Sequence, residues 1–152
     1  MISIKRANEA QVDYEGVINH SPVAQEPEAS AILKRFIDRA TDAYVGYING
    51  EVACIYGLEA PTILSTTKCF LWLLTTDVVD RNKFEFVRNS EIVIENLLKE
   101  YELITGTTHT KDERAFKWMK WLGAVYHGHE KTMVPFYITS ETFLRRRRWR
   151  IQ

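Results

Sequence analysis

Cysteine is scarce in this chain of 152 residues: only Cys54 and Cys69 occur, and neither has a His or a second Cys at metal-ligand spacing beside it. Both fall inside apolar runs, so they read as reduced core residues and not as a disulfide or metal framework. No apolar run approaches the roughly 18 residues that a membrane-spanning helix needs. The start, "MISIKRANEA", lacks the charged, apolar and small-residue sections of a secretory signal. The expectation is a protein of the cytoplasm with no membrane partner. Glycine is sparse as well, and it is missing where it would be most informative. After the apolar run "CFLWLLTTDVV", where a nucleotide-binding protein would keep a glycine-rich phosphate loop, the sequence reads "RNKFEF", with Phe84 and Phe86 in place of glycines. An excess of charge of one sign is also lacking, since 20 Lys+Arg balance 20 Asp+Glu. That balance conceals an asymmetry. "RRRRWR", Arg145 to Arg150, holds five of the basic residues, which leaves the rest of the chain at about −5.

What is present is enough apolar material, 45% of the residues, for one sizeable core and too short a chain to suggest two. The expected organisation is one domain over residues 1–144, followed by a basic tail over 145–152. "ISI" near the start is a short strand, and "NEAQVDYEGVI" is a surface helix capped by Asn8. Leu33, Phe36, Ile37 and Ala40 recur at helical spacing on a helix beginning near Pro27. The strongest local signal is "AYVGYINGEVACIYGLEA": two strand-like runs joined by Asn49-Gly50, both able to take positive φ and close a type I′ hairpin. "KCFLWLLTT" follows, apolar almost throughout, as a central strand buried on both faces would be. Ile94, Leu97, Leu98 and Tyr101 mark a helix, "ELITGTT" a strand, and "KDERAFKWMKWLG" a helix stopped by Gly123. "AVYHGHE" and "VPFYITS" are two last strands. An antiparallel first half that passes into a strand-helix-strand crossover gives an α/β class: a mixed sheet of six to seven strands flanked by about four helices.

That element order resembles the GNAT superfamily of acyl-CoA N-acyltransferases, and "DERAFKWMKWLGAVYHG" is similar to its helix and strand around "LGF". "LWLLTTDVV", "FVRNS" and "KWMKWLG" further resemble the small GNAT-like proteins of short-tailed bacteriophages, a group that includes an internal virion protein. The resemblance implies an acetyl-CoA-dependent N-acetyltransferase acting on an amine of a protein or small molecule. It also leaves an alternative, a non-catalytic descendant that serves virion assembly or binds a host protein. In such folds the strand carrying Leu74, Thr75 and Thr76 splays from the next parallel strand and pantetheine fills the gap. The pyrophosphate sits on free N–H groups at the following helix N-terminus. The superfamily's Arg/Gln-x-x-Gly-x-Gly signature keeps only Arg81 here. Either Phe84 and Phe86 are core residues at the start of the helix, or the loop is reshaped and Arg81, Lys83 and Arg88 supply the charge. Asp112 stands at the family's asparagine position, and Met119 at the position of the tyrosine that often protonates the leaving thiolate.

Acetyl transfer needs a base for one ammonium proton, and Glu59, near the end of the hairpin's second strand, and His109, just past "ELITGTT", are the candidates. Each also has a plainer reading, as a solvated strand end and an exposed loop histidine. His127, His129 and Glu130 invite a metal but lack an evident further ligand, so no metal site is expected. Trp118 and Trp121 with Lys117 and Lys120 suggest base stacking, yet helical spacing favours core packing. The Arg145 to Arg150 run fits an acidic partner or nucleic acid.

Overall fold

In the computed structural model, residues 2–60, 67–128 and 132–151 are described, with side chains through Arg146. The chain forms β1 (Ile2–Arg6), α1 (Tyr14–Asn19), α2 (Ala29–Arg39), β2 (Asp42–Ile48), β3 (Glu51–Glu59), β4 (Lys68–Thr75), α3 (Val78–Arg81), α4 (Lys83–Glu100), β5 (Leu103–His109), α5 (Glu113–Trp121), β6 (Val125–Tyr126), β7 (Met133–Thr139) and α6 (Ser140–Ile151). The strands hydrogen-bond in the order β1-β2-β3-β4-β5-β7-β6. The β4–β5 ladder is parallel, whereas β1–β2, β2–β3, β5–β7 and β6–β7 are antiparallel, so the sheet is mixed as expected. No helix among the described residues is long and apolar enough to cross a membrane.

Two compact units divide the chain, one of residues 1–59 and 72–86 and the other of residues 60–71 and 87–152. In the first, Asn49 (φ 52) and Gly50 (φ 83) close the β2–β3 hairpin with both turn residues at positive φ, the type I′ geometry that the sequence predicts. Val45, Ile48, Ala53 and Ile55 of that hairpin are almost wholly buried, with Leu33 of α2 and Val78 and Val79 of α3. In the second unit, Cys69, Ile104, Leu122 and Ile138 are the most deeply buried apolar side chains, joined by Met119, Phe136 and Phe143.

Three sequence expectations are corrected. Asn8 caps no helix: residues 7–9 form a turn whose Glu9 N–H donates to Arg6 O, and α1 starts only at Tyr14. Its cap is Asp13, whose Oδ1 accepts from Gly16 N at 3.2 Å. The single helix expected after β4 is two, the four-residue α3 and the 18-residue α4, separated at Asn82. Asn82 Nδ2 donates to Val78 O at 3.0 Å, so its side chain closes the end of α3. Trp121 is 42% exposed and lies outside the core, whereas Trp118 is half-buried on the stripe of Ala115 and Met119. The arginine run is carried on α6, of which Arg146 is buried against Phe143, its guanidinium 4.0 Å from the ring centroid and 3.5 Å from Glu91.

Candidate functional site

The β4–β5 ladder lies within the second unit. Lys68 to Leu71 pair with Leu103 to Gly106, and the parallel ladder ends at the Leu71–Gly106 rung. Gly106 marks that rung because a Cβ there would lie 2.5 Å from Leu71 O and 2.4 Å from Phe136 Cζ, so no larger residue permits this approach. β5 continues through Thr107, Thr108 and His109 paired only with β7. In the first unit, Trp72 to Thr75 complete β4. Leu74 is half-buried there and Thr75 buried. Thr76 faces the hairpin: its N–H donates to Ala53 O at 2.9 Å and its hydroxyl to Val52 O at 2.6 Å, so both of its donors are engaged by β3.

The chain then turns directly into α3, anchored by Val78 N donating to Thr76 Oγ1 and by Val79 N donating to Thr76 O. "RNKFEF" therefore straddles a helix break, with Arg81 ending α3 and Lys83 opening α4. Phe86 N donates to Asn82 O at 3.1 Å, the first hydrogen bond of α4. Among the described residues, the N–H groups of Lys83 and Phe84 have no acceptor, as expected in the first turn of a helix. Those free donors and the helix dipole put about half a positive charge at this point. Arg81, Lys83 and Arg88 are each exposed. Arg81 pairs with Glu51 at 3.0 Å, but both side chains are more than half exposed, so the pair is weak and can be exchanged for a stronger anion.

The two phenylalanines part company. Phe86 is 6% exposed and belongs to the core, whereas Phe84 is 81% exposed. Residues two apart on a helix lie on nearly opposite faces, so expecting both in the core is corrected for Phe84. Its ring leaves the α4 N-terminus uncovered by core packing.

Glu59 ends β3, and its Oε1 is shut away from solvent without a hydrogen bond among the described residues. In the second unit, His109 lies in the turn after β5: its Nδ1 accepts from Lys111 N at 3.1 Å and its carbonyl accepts from Asp112 N at 2.9 Å. Asp112 is buried and N-caps α5, with Oδ1 accepting from Ala115 N at 3.0 Å. Met119 is deep in the core. His127 is exposed and lies 5.9 Å from the Tyr137 ring, while His129 and Glu130 lie outside the described residues.

Two polar side chains escape the sequence reading. Tyr126 of β6 shares a 2.7 Å hydrogen bond with Thr108 Oγ1 and packs between Phe116 and Phe136. Burial, opposed by the Thr108 hydrogen bond and aided by the Asp112 charge, pushes its phenol up to about 12, so it holds its proton firmly at neutral pH. Trp72 is 6% exposed and its Nε1 has no acceptor among the described residues. Its position in an apolar run signals packing alone, and nothing in the sequence shows that Gly57 makes room for its indole.

Neither a protein-family model nor a curated protein sequence matches the chain. Solved structures do. An acetyltransferase of Bacillus subtilis in complex with CoA aligns over 91% of this chain and 99% of its own, at 12% identity and a TM-score of 0.65. The aminoglycoside acetyltransferase AAC(6')-Ib in complex with coenzyme A aligns over 97% and 99%, at 14% identity and 0.67. A GNAT family acetyltransferase of Elizabethkingia anophelis with acetyl-CoA bound aligns over 91% and 97%, at 9% identity and 0.64. Strand order, the parallel β4–β5 rungs and these alignments agree: the chain has the fold of the GNAT acetyltransferases.

Proposed function

We propose that the protein is an acetyl-CoA-dependent N-acetyltransferase acting on an amine. The observation that carries this reading is the start of α4, where two backbone N–H groups have no acceptor among the described residues and Arg81 and Lys83 are exposed, shortly after β4 ends. These features fit the cofactor. An extended pantetheine arm presents amides that can pair with a strand edge, and a pyrophosphate suits a basic helix N-terminus. The exposed Phe84 does not fill the place where phosphate must approach, although its Cβ keeps the anion farther from the backbone than glycine would. Arg81, Lys83 and Arg88 make up the difference with charge-assisted hydrogen bonds, Arg81 exchanging Glu51 for the phosphate.

Acetyl-CoA supplies a thioester acyl group activated for transfer to nitrogen. Glu59 takes one proton from the acceptor ammonium so that its nitrogen lone pair can form the new C–N bond; the C–S bond then breaks and the leaving thiolate takes the second proton that the nitrogen sheds on becoming an amide. His109 is the less suited base, because its Nδ1 is committed to the Lys111 N–H in a tight turn. The similarity of "FVRNS" and "KWMKWLG" to phage proteins carries the finer reading that the protein is phage-encoded. An acidic partner for the arginine run on α6 is a separate proposal, tested by the salt dependence of binding.

The test is isothermal titration of CoA-free protein with acetyl-CoA, together with Arg81→Ala and Phe84→Gly. Micromolar binding that weakens at least fivefold in Arg81→Ala is the expected result. Binding by neither the unaltered protein nor Phe84→Gly overturns the reading in favour of a non-catalytic GNAT-fold protein. Binding by Phe84→Gly alone means that the side chain closes the site.

A further inference from the structure

One face of α2, in the first unit, carries a cavity that the acetyltransferase reading does not use. Its volume is about 410 Å³, in the range of small-ligand sites, and it is lined by Ile32, Arg35, Phe36, Asp38 and Arg39. At about 3.6 residues per turn these side chains follow one another around the helix as Asp38, Arg35, Arg39, Ile32 and Phe36, across roughly 160°. The lining is therefore acidic at one edge, basic in the middle and apolar at the other edge. The apolar edge is held firmly. Phe36 is half-buried with its ring 5.6 Å from that of Trp72, a core residue, and the Arg39 guanidinium lies 5.5 Å from the Phe36 ring centroid. Ile32 is 41% exposed. Among the described residues neither Arg35 nor Arg39 forms an ion pair, so two guanidiniums one turn apart border exposed hydrocarbon with their capacity for an anion unused.

We propose that this cavity binds a small monocarboxylic acid with an aromatic body. The carboxylate accepts charge-assisted hydrogen bonds from the Arg35 and Arg39 guanidiniums, and the ring lies on Phe36 and Ile32. Two cations against one anion leave the lining with a single net positive charge, so a monoanion is matched and the second charge of a dianion is opposed by Asp38. A neutral alcohol of the same shape keeps only the hydrocarbon contact. A short acid without a ring keeps only the charge, and an amine is repelled by both arginines. The site stands apart from the acetyltransferase reading, since no cofactor takes part in the recognition.

The test is a titration of ¹⁵N-labelled protein, free of CoA, followed by its assigned backbone amide resonances. The probe is 3-phenylpropionate, compared with 3-phenyl-1-propanol, 3-phenylpropylamine, propionate and the dianion phenylsuccinate. The expected result is a saturable shift of amides in α2 by 3-phenylpropionate, with the alcohol, the amine and propionate at least fivefold weaker and phenylsuccinate no tighter. Arg35→Met and Arg39→Met should each weaken the response at least fivefold, while their melting temperatures stay within about 2 °C because both side chains are exposed. Lys34, exposed on the same helix but outside the lining, supplies the control: Lys34→Met removes the same charge and should leave the affinity within twofold. No saturable shift in α2, an equal response to the alcohol, the amine or propionate, tighter binding of phenylsuccinate, an unaltered response in both arginine variants, or an equal loss in Lys34→Met overturns the proposal. If acetyl-CoA fails to bind while this response persists, the transferase reading falls and the carboxylate site stands; the converse outcome removes the carboxylate site alone.

Discussion

Replacing Phe84 and Phe86 separately by alanine tests the central geometric point, that the start of α4 keeps one ring in the core and holds the other out in solvent. Phe86 is 6% exposed, so its truncation loses nearly the whole transfer energy of the ring and leaves a cavity, a loss of about 3–5 kcal/mol. For a chain of this size each kcal/mol lowers the melting temperature by roughly 2–4 °C, so Phe86→Ala should melt about 6–20 °C lower. Phe84 is 81% exposed and gives up almost no buried area, while alanine is the better helix former by about half a kcal/mol. Phe84→Ala should therefore melt within about 2 °C of the unaltered protein, or slightly above it. Differential scanning calorimetry reads both, and acetyl-CoA titration of Phe84→Ala reads the function. Affinity should hold or rise, because the removed ring stands beside the free N–H groups of Lys83 and Phe84. If the two variants melt alike, or if Phe84→Ala is the less stable, the helix is rotated from the arrangement described and the free N-terminus is lost with it.

Gly106→Ala would press a methyl group onto the Leu71 carbonyl, which cannot move without breaking the last β4–β5 rung. A fall of roughly 1–3 kcal/mol in urea unfolding is expected, and a change below about 0.5 kcal/mol would mean that the rung is not so tight. Asp112→Ala removes the buried cap of α5 and should cost about 1–2 kcal/mol, whereas Asp112→Asn, which retains an oxygen for Ala115 N, should cost less than half as much. Stability should decline in alkali. Burial raises the Cys54 thiol from 9.0 to about 12, so above pH 9 the unfolded thiol ionises while the folded one keeps its proton. That contribution is complete below pH 9.0 and is lost as pH rises toward about 12, at up to about 1.4 kcal/mol per pH unit. Cys54→Ala should flatten the pH 9 to 11 slope of the urea midpoint, and an unchanged slope would place the titration elsewhere.

The sequence by itself determined those features whose physics is local. Asn49-Gly50 specifies its own turn because the φ requirement acts on those two residues alone, and the 3.6-residue stripes of α2 and α5 name their buried faces. The apolar run of β4 and the order of elements were enough to resemble the right fold, because connection rules leave few ways to assemble them. Tertiary structure alone decided what depends on neighbours distant in sequence. Asn8 and Asp13 are both good cap residues; the choice fell on Asp13 because the Ala7 N–H donates to Ala43 O, so the chain is still held beside β2 when it reaches Asn8. Which of Phe84 and Phe86 faces inward follows from where α4 begins, and that follows from Asn82 turning its side chain back to close α3. Glu59 was legible as a carboxylate at a strand end, but not as one with its Oε1 occluded, and Trp72 was legible only as core. Their shared side of β3 exists because Gly57, a residue with no side chain to announce it, lets an indole from the next strand lie against the backbone.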